Sequence, residues 1–222
     1  ECRFGINDRL MIEAETQQGY RTQLRAAAIA IDDCHFHQCV RLGHFDAERA
    51  ISFIPPEGEF ELLSYRISEN VNLPFRVIPV IREVGSSKVE MQISLRSLYG
   101  GKITATSVFV KIPTPPNTAL AKIHTAHGKA KYRPQHNAIL WRLKKYPAAT
   151  ESQIDIVLDL TPQLNNEGKW VRQPIALQFV VPMFTASGIH VRFLKVVESR
   201  LNYTPIKWVR YITKAQSYQV RV

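Results

Sequence analysis

Between residues 88 and 96 apolar and polar positions take turns. Val89, Met91, Ile93 and Leu95 form one set, and Lys88, Glu90, Gln92, Ser94 and Arg96 form the other. A period of two sends the two sets to opposite faces of a pleated strand. The pattern returns over residues 153–160, where Ile154, Ile156, Leu158 and Leu160 are the apolar set, and over 107–112 and 139–143. Turn-forming clusters punctuate these runs: Pro55-Pro56-Glu57-Gly58, Gly85-Ser86-Ser87, Gly100-Gly101, residues 113–118, and Asn165-Asn166-Glu167-Gly168. No stretch keeps a helical period over three turns. Strand centres recur roughly every 10–15 residues, which predicts an all-β sandwich. Residues 14–28 break the pattern and read as a long polar loop. There is no internal repeat and no low-complexity tract.

Composition narrows the class. The 222 residues are 45% hydrophobic and 22% charged, a globular balance rather than a disordered one. No apolar run approaches the roughly 18–20 residues of a membrane-spanning helix. Three cysteines, Cys2, Cys34 and Cys39, are too few and odd in number for a secreted disulfide framework, so reduced thiols are expected. The chain opens on Glu-Cys-Arg-Phe-Gly without an initiator Met, which predicts a fragment of a longer chain.

Charge changes the picture most. The net charge is +10. Residues 1–90 carry 10 basic and 14 acidic side chains, and residues 151–222 carry 9 and 5. Residues 91–150 carry 10 basic side chains and no acid. Sixty residues without a carboxylate do not make a mixed solvated surface. The partner implied is polyanionic: nucleic acid, or the anionic cytoplasmic leaflet of a membrane.

Catalysis and metals find little support. There is no nucleophile elbow, P-loop, dinucleotide fingerprint or His-Glu-x-x-His. In Cys34-His35-Phe36-His37-Gln38-Cys39, a strand would point His35, His37 and Cys39 one way, yet the spacing matches no zinc site. The expectation is a strand with half-buried histidines and reduced cysteines, and no metal. Glu57, Glu59 and Glu61 sit in or beside a turn and read as solvated acids. No enzymatic activity and no cofactor are expected.

Several long motifs carry a family resemblance. Residues 36–42 (Phe-His-Gln-Cys-Val-Arg-Leu) and 51–66 (Ile-Ser-Phe-Ile-Pro-Pro-Glu-Gly-Glu-Phe-Glu-Leu-Leu-Ser-Tyr-Arg) closely resemble the mu-homology domain of clathrin-adaptor medium subunits. So do 73–79 (Leu-Pro-Phe-Arg-Val-Ile-Pro), 111–115 (Lys-Ile-Pro-Thr-Pro), 128–132 (Gly-Lys-Ala-Lys-Tyr), Ser187-Gly188-Ile189 and 207–212 (Lys-Trp-Val-Arg-Tyr-Ile). Residues 73–79 and 128–132 point to the plasma-membrane branch of the family. Residues 183–189 and 212–215 resemble its fungal or plant members. The resemblance covers nearly the whole chain. It implies an elongated pair of β-sandwich subdomains, the second inserted into the first: residues 1–69 and 183–222, then 70–182. It also implies that an N-terminal longin-like domain, a regulated linker and the first strands of the mu-homology domain are missing. One of those strands supplies an Asp and a Phe to the tyrosine pocket of the family's cargo site.

Two constellations carry chemistry. On a strand, Trp208 and Arg210 share a face, and an indole beside a guanidinium makes a slot for an aromatic ring. The resemblance implies that this strand, with Lys207 and Val209, accepts an extended Tyr-x-x-Φ peptide (Φ a bulky hydrophobe) by β-augmentation. It implies that Val191, Leu194 and Val209 form the Φ pocket. Val191 and Leu194 have opposite parity, so a bulge or a pocket lying across the edge is required. Trp141 and Trp170 read as core or inter-strand packing.

The second constellation is His127, Lys129, Lys131 and Arg133, followed by Pro134-Gln135-His136-Asn137 and then Arg142 and Lys144. A hairpin at 134–137 lays two basic rows side by side, and crowded like charges call for an anion. The resemblance implies a phosphoinositide headgroup. His127 stands where the family often has Lys, which introduces a pH-sensitive group.

The reading is a cargo-recognition domain of a clathrin adaptor. Its implied partners are Tyr-x-x-Φ signals in cytosolic tails, the anionic phosphoinositide surface, the other subunits of a heterotetrameric adaptor complex and, indirectly, clathrin. The implied location is the cytosol and the cytoplasmic face of the plasma membrane, at coated pits. The alternatives are a nucleic-acid-binding β-module, which lacks aromatics interleaved with its basic row, and a mu-homology domain of another adaptor or endocytic protein. No nucleic-acid partner is expected.

Overall fold

Strand Lys88–Ser97 keeps the alternation that its sequence announces: Val89, Met91, Ile93, Leu95 and Ser97 are buried, while Gln92 and Arg96 face solvent. Its antiparallel partners Phe75–Val84 and Glu151–Leu160 do the same. The computed structural model describes residues 1–8, 29–41, 50–162, 170–198 and 204–222. The expected polar loop at 14–28 and the turn at 165–168 lie outside the described residues. Within them are sixteen strands, one short 3-10 turn at Pro134–His136 and no α-helix. The all-β expectation holds.

The chain divides into two compact units. One comprises Glu1–Asn72 and Thr185–Arg210, the other Leu73–Phe184 and Tyr211–Val222. Strands are numbered in chain order. The first unit holds β1 (Cys2–Ile6), β2 (Asp33–Phe36), β3 (Ile51–Phe53), β4 (Leu63–Arg66) and β15 (Val191–Val196). They form a three-stranded sheet in the order β15-β1-β3 and a β2-β4 pair. Two small apolar clusters support them, one around Cys2, Ile51 and Phe53 and one around Ile6 and Ile189. All three cysteines are free thiols.

The second unit is a β-sandwich. One layer is β5 (Phe75–Val84), β6 (Lys88–Ser97), β13 (Glu151–Leu160) and β9 (Thr118–Thr125), in the order β5-β6-β13-β9. The other has β10 (Lys129–Arg133), β11 (Ala138–Leu143), β8 (Ser107–Pro113), β14 (Ile175–Pro182) and β16 (Ile212–Val220), in the order β10-β11-β8-β14-β16. The short strands β7 (Thr104–Ala105) and β12 (Tyr146–Pro147) pair with each other. Inward side chains of both layers merge into one core, with Ile93, Leu95, Val108, Ile139, Trp141, Ile154 and Leu177 wholly enclosed. Two buried tyrosine hydroxyls find carbonyls: Tyr99 donates to Tyr146 O at 2.6 Å and Tyr146 to Leu95 O at 2.6 Å. This satisfies polar atoms that burial otherwise makes costly.

The second unit interrupts the first in sequence, as an insertion does, but residues 211–222 correct the expected boundaries. The resemblance implies that they belong to the first subdomain. Instead β16 pairs with β14, from Ile175↔Val220 to Pro182↔Ile212. The physical reason is apolar: Ala215, Tyr218 and Val220 pack on the sandwich core, and the Tyr218 ring meets Phe179 edge-on at 5.7 Å. The chain is stapled where it returns, with Met183 N donating to Tyr211 O at 2.7 Å and Thr213 Oγ1 to Phe184 O at 2.6 Å.

Candidate functional site

The predicted peptide slot lies in the first unit, on residues that precede β16. Residues 204–211 belong to no strand, which corrects the expectation of a ladder-bonded strand at 207–210. Pairing in the second unit begins only at Ile212. The segment instead approaches β15 through a side chain: Lys207 Nζ donates to Leu194 O at 3.1 Å. Among the described residues β15 is the terminal strand of its sheet.

Trp208 is 75% exposed and Val209 42%. Tryptophan is normally among the more buried side chains, so an indole left this open serves something other than the core. The other two behave as expected. Trp141 is wholly buried and donates Nε1–H to His127 O at 2.8 Å, and Trp170 packs against the core from partial exposure.

The parity conflict between Val191 and Leu194 is resolved by a bulge. Leu194 pairs with Phe4 and Phe193 with Gly5, but Ile6 pairs with Val191, so β15 spends one extra residue there. Phe4 and Ile6 have the same parity on β1. Val191 and Leu194 are thereby brought to one face, the effect of a β-bulge. On the opposite face the Phe193 ring lies against Gly5, where an added Cβ would collide with it.

The predicted basic constellation lies in the second unit. The hairpin forms as expected: a 3-10 turn at Pro134–His136, closed by Asn137 at φ 43, joins β10 to β11. Gly128 enters β10 at φ +80, and an added Cβ would meet Arg142 O at 2.5 Å. Only glycine meets both conditions.

The register places Lys129 opposite Arg142, Lys131 opposite Leu140 and Arg133 opposite Ala138. The two basic rows are therefore juxtaposed only at Lys129–Arg142, and Lys144 lies beyond the end of β11. The Arg142 guanidinium sits over the Phe109 ring at 5.1 Å. Lys129, Lys131, Arg133, Arg142 and Lys144 are exposed, as is His127. None makes an ion pair with a described residue.

Sequence reasoning missed Lys111. It shares the outer face of this sheet because Leu140, the partner of Lys131, pairs on its other side with Lys111. The signal was present in the alternation of β8, where Phe109 and Lys111 are the exposed positions.

The Cys34–Cys39 run holds no metal geometry. β2 ends at Phe36, so His37 and Cys39 leave the strand. His37 Nδ1 accepts from Cys39 N at 3.1 Å, and His35 pairs with Asp33 at 3.3 Å. Among the described residues no three potential ligands cluster. A cavity of about 720 Å³ opens between Thr114, Pro115, Leu160 and Trp170 of the sandwich. It contains none of the predicted site residues.

Comparison with known proteins gives this geometry a setting. The chain is 50% identical over 228 residues to the AP-2 complex subunit mu of Dictyostelium discoideum, covering 100% of this chain and 52% of that protein. It is 47% identical to the AP-2 complex subunit mu of Caenorhabditis elegans (100% and 51%) and 36% identical to that of Saccharomyces cerevisiae (99% and 49%). The chain spans about half the length of these relatives. Among solved structures it is similar in fold to the Fcho1 mu homology domain of Danio rerio with bound Eps15 peptide. That match has a TM-score of 0.57 and 13% identity, covering 85% of this chain and 74% of the other. A homology model of the full-length AP-3 complex in an intermediate open conformation matches at a TM-score of 0.62 and 19% identity, covering 100% and 58%. These neighbours are mu-homology folds, in agreement with the fold expected. The sequence model of the adaptor complexes medium subunit family matches residues 1–222, and the chain belongs to that family.

Proposed function

We propose that this chain is the cargo-recognition part of a clathrin adaptor. In this reading it binds Tyr-x-x-Φ sorting signals beside β15 and anionic phosphoinositide membrane through the β10–β11 hairpin. It acts by binding rather than catalysis, within a heterotetrameric complex at plasma-membrane coated pits. The observation that carries this reading is the exposed indole of Trp208, on a segment tethered to Leu194 of a terminal strand. An extended peptide laid there gains backbone hydrogen bonds from the sheet, and its tyrosine ring packs on Trp208 and the Arg210 guanidinium. Val191 and Leu194, brought to one face by the bulge, supply apolar contact for Φ. Family membership and the AP-2 mu relatives support the adaptor role.

The test is fluorescence anisotropy of a labelled Tyr-x-x-Leu peptide titrated with this chain, with a Tyr→Ala peptide as control. Tyrosine-dependent, saturable binding is expected. Trp208→Ala and Arg210→Ala should each weaken it by at least ~2 kcal/mol, as aromatic and arginine anchors do. A folded Trp208→Ala variant that binds as tightly as the parent would remove this residue from the site.

A further inference from the structure

The five strands β10, β11, β8, β14 and β16 contain no Asp or Glu at all. The facing layer is different. Glu83, Glu90, Glu151, Asp155 and Asp159 lie on its strands among its cations, and two of those cations are paired, Lys88 with Glu90 at 2.9 Å and Lys122 with Asp159 at 3.2 Å. The sandwich is electrostatically two-faced.

The positive charge on the acid-free sheet does not stop at the hairpin. Register carries the outer face from Lys131 through Leu140 to Lys111 and on to Ala176. It carries the next outer row from Lys129 through Arg142 to Phe109 and Gln178. Val180, on the same face of β14, pairs with Lys214 of β16. Lys111 and Lys214 are exposed, and neither makes an ion pair with a described residue. The register of β14 against β16 slips between Leu177 and Phe179, leaving Gln178 without a partner on β16. Beside that slip is a depression of about 260 Å³, walled by Ser107, Phe109, Gln178, Val180, Lys214 and Gln216. It offers one cation and several hydrogen-bonding groups and no anion. From β10 to β16 the face is four strand spacings wide, about 19 Å.

We infer that the whole outer face of this five-stranded sheet, and not the hairpin alone, is the membrane-contacting surface, with Lys111, in the row of Lys131, and Lys214, on the far strand β16, each adding a phosphate contact beyond the hairpin. The inference rests on the anionic-membrane reading above. The occupant is a bilayer of anionic phospholipid. A face with cations on four of its five strands and no carboxylate complements a plane of phosphates, and each basic group there adds attraction that salt weakens.

The test is vesicle co-sedimentation of the full chain. Vesicles are phosphatidylcholine with graded phosphatidylserine, with and without phosphatidylinositol bisphosphate, at about 0.1 M salt. Lys111→Gln/Lys214→Gln should lower the partition coefficient at least ~5-fold, and should lower it again in the Lys129→Gln/Lys131→Gln background. All four side chains are exposed, and a thermal midpoint equal to the parent's establishes that each variant is folded. Partition that rises with phosphatidylserine content alone supports a surface reading charge density. Parent-like binding by Lys111→Gln/Lys214→Gln, beside lost binding in Lys129→Gln/Lys131→Gln, overturns the extended face and leaves the hairpin reading standing. A parent that binds no vesicle overturns both. Tighter binding to duplex DNA than to vesicles at equal phosphate overturns both in favour of nucleic acid.

Discussion

Gly128 shows how one residue without a side chain sets the position of several charged ones. Its φ of +80 and its approach to the Arg142 carbonyl let β10 start beside β11, and Trp141 locks the same turn by donating to His127 O. Gly128→Ala forces a Cβ against a backbone oxygen that has no freedom to withdraw. It should cost at least about 1–3 kcal/mol in urea unfolding and weaken vesicle binding with it. A variant with parent-like stability would show that the turn tolerates another conformation. The three tryptophans show what was legible at this scale. Trp141 falls on the apolar phase of an alternating strand, so its burial followed from periodicity. The role given to Trp208 came from resemblance, because periodicity has no means of separating an exposed indole from a core one. Lys111 was passed over because its partners lie on other strands, and only the register brings them together.

At the scale of the element, the long alternating strands were readable in the chain and the irregular ones were not. β6, β8, β11 and β13 bury one face each, so their buried positions recur at every second residue along most of their length. β16 carries only Ala215, Tyr218 and Val220 to the core, and the irregular register opposite Leu177 and Phe179 breaks their parity. Its attachment to the second unit therefore depends on a few contacts that local sequence does not announce. Tyr218 is the largest: it packs edge-on to Phe179 and its hydroxyl donates to Phe75 O at 3.3 Å. Tyr218→Ala should destabilise the second unit by about 2–4 kcal/mol, read as a lower urea midpoint. An unchanged midpoint would mean that β16 is not part of that unit's cooperative core. The bulge in β15 was foreseen only as a requirement. Side-chain parity required either an extra residue or a pocket lying across the edge, and the structure inserts a residue between Val191 and Phe193.

For the whole molecule, the two proposed contacts reside in different units, the peptide slot in the first and the basic sheet in the second. Two weak contacts carried by one chain raise each other's effective concentration when both ligands lie on one membrane. Lys129→Ala/Lys131→Ala should therefore lower binding to phosphatidylinositol-bisphosphate vesicles and leave the affinity for soluble Tyr-x-x-Leu peptide unchanged. A parallel loss of peptide affinity would tie the two sites to one surface. The charge asymmetry behind this division was readable as an acid-free run of 60 residues. That the run continues on β14 and β16, far along the chain, emerged only when the sheet order placed them side by side.

The return of β16 to the second sandwich also sets the order of events during synthesis. Tyr218 reaches Phe75 across 143 residues of sequence, and β14 gains its outer neighbour only from β16. Pairings that distant are slow to form, and an unfinished sheet exposes a strand edge in the meantime. By the time β16 leaves the ribosome, β15 and the segment bearing Trp208 have already emerged. A nascent chain thus closes its basic sandwich only after the segment bearing Trp208 has been made, and pausing before Ile212 would prolong the exposure of the open edge of β14.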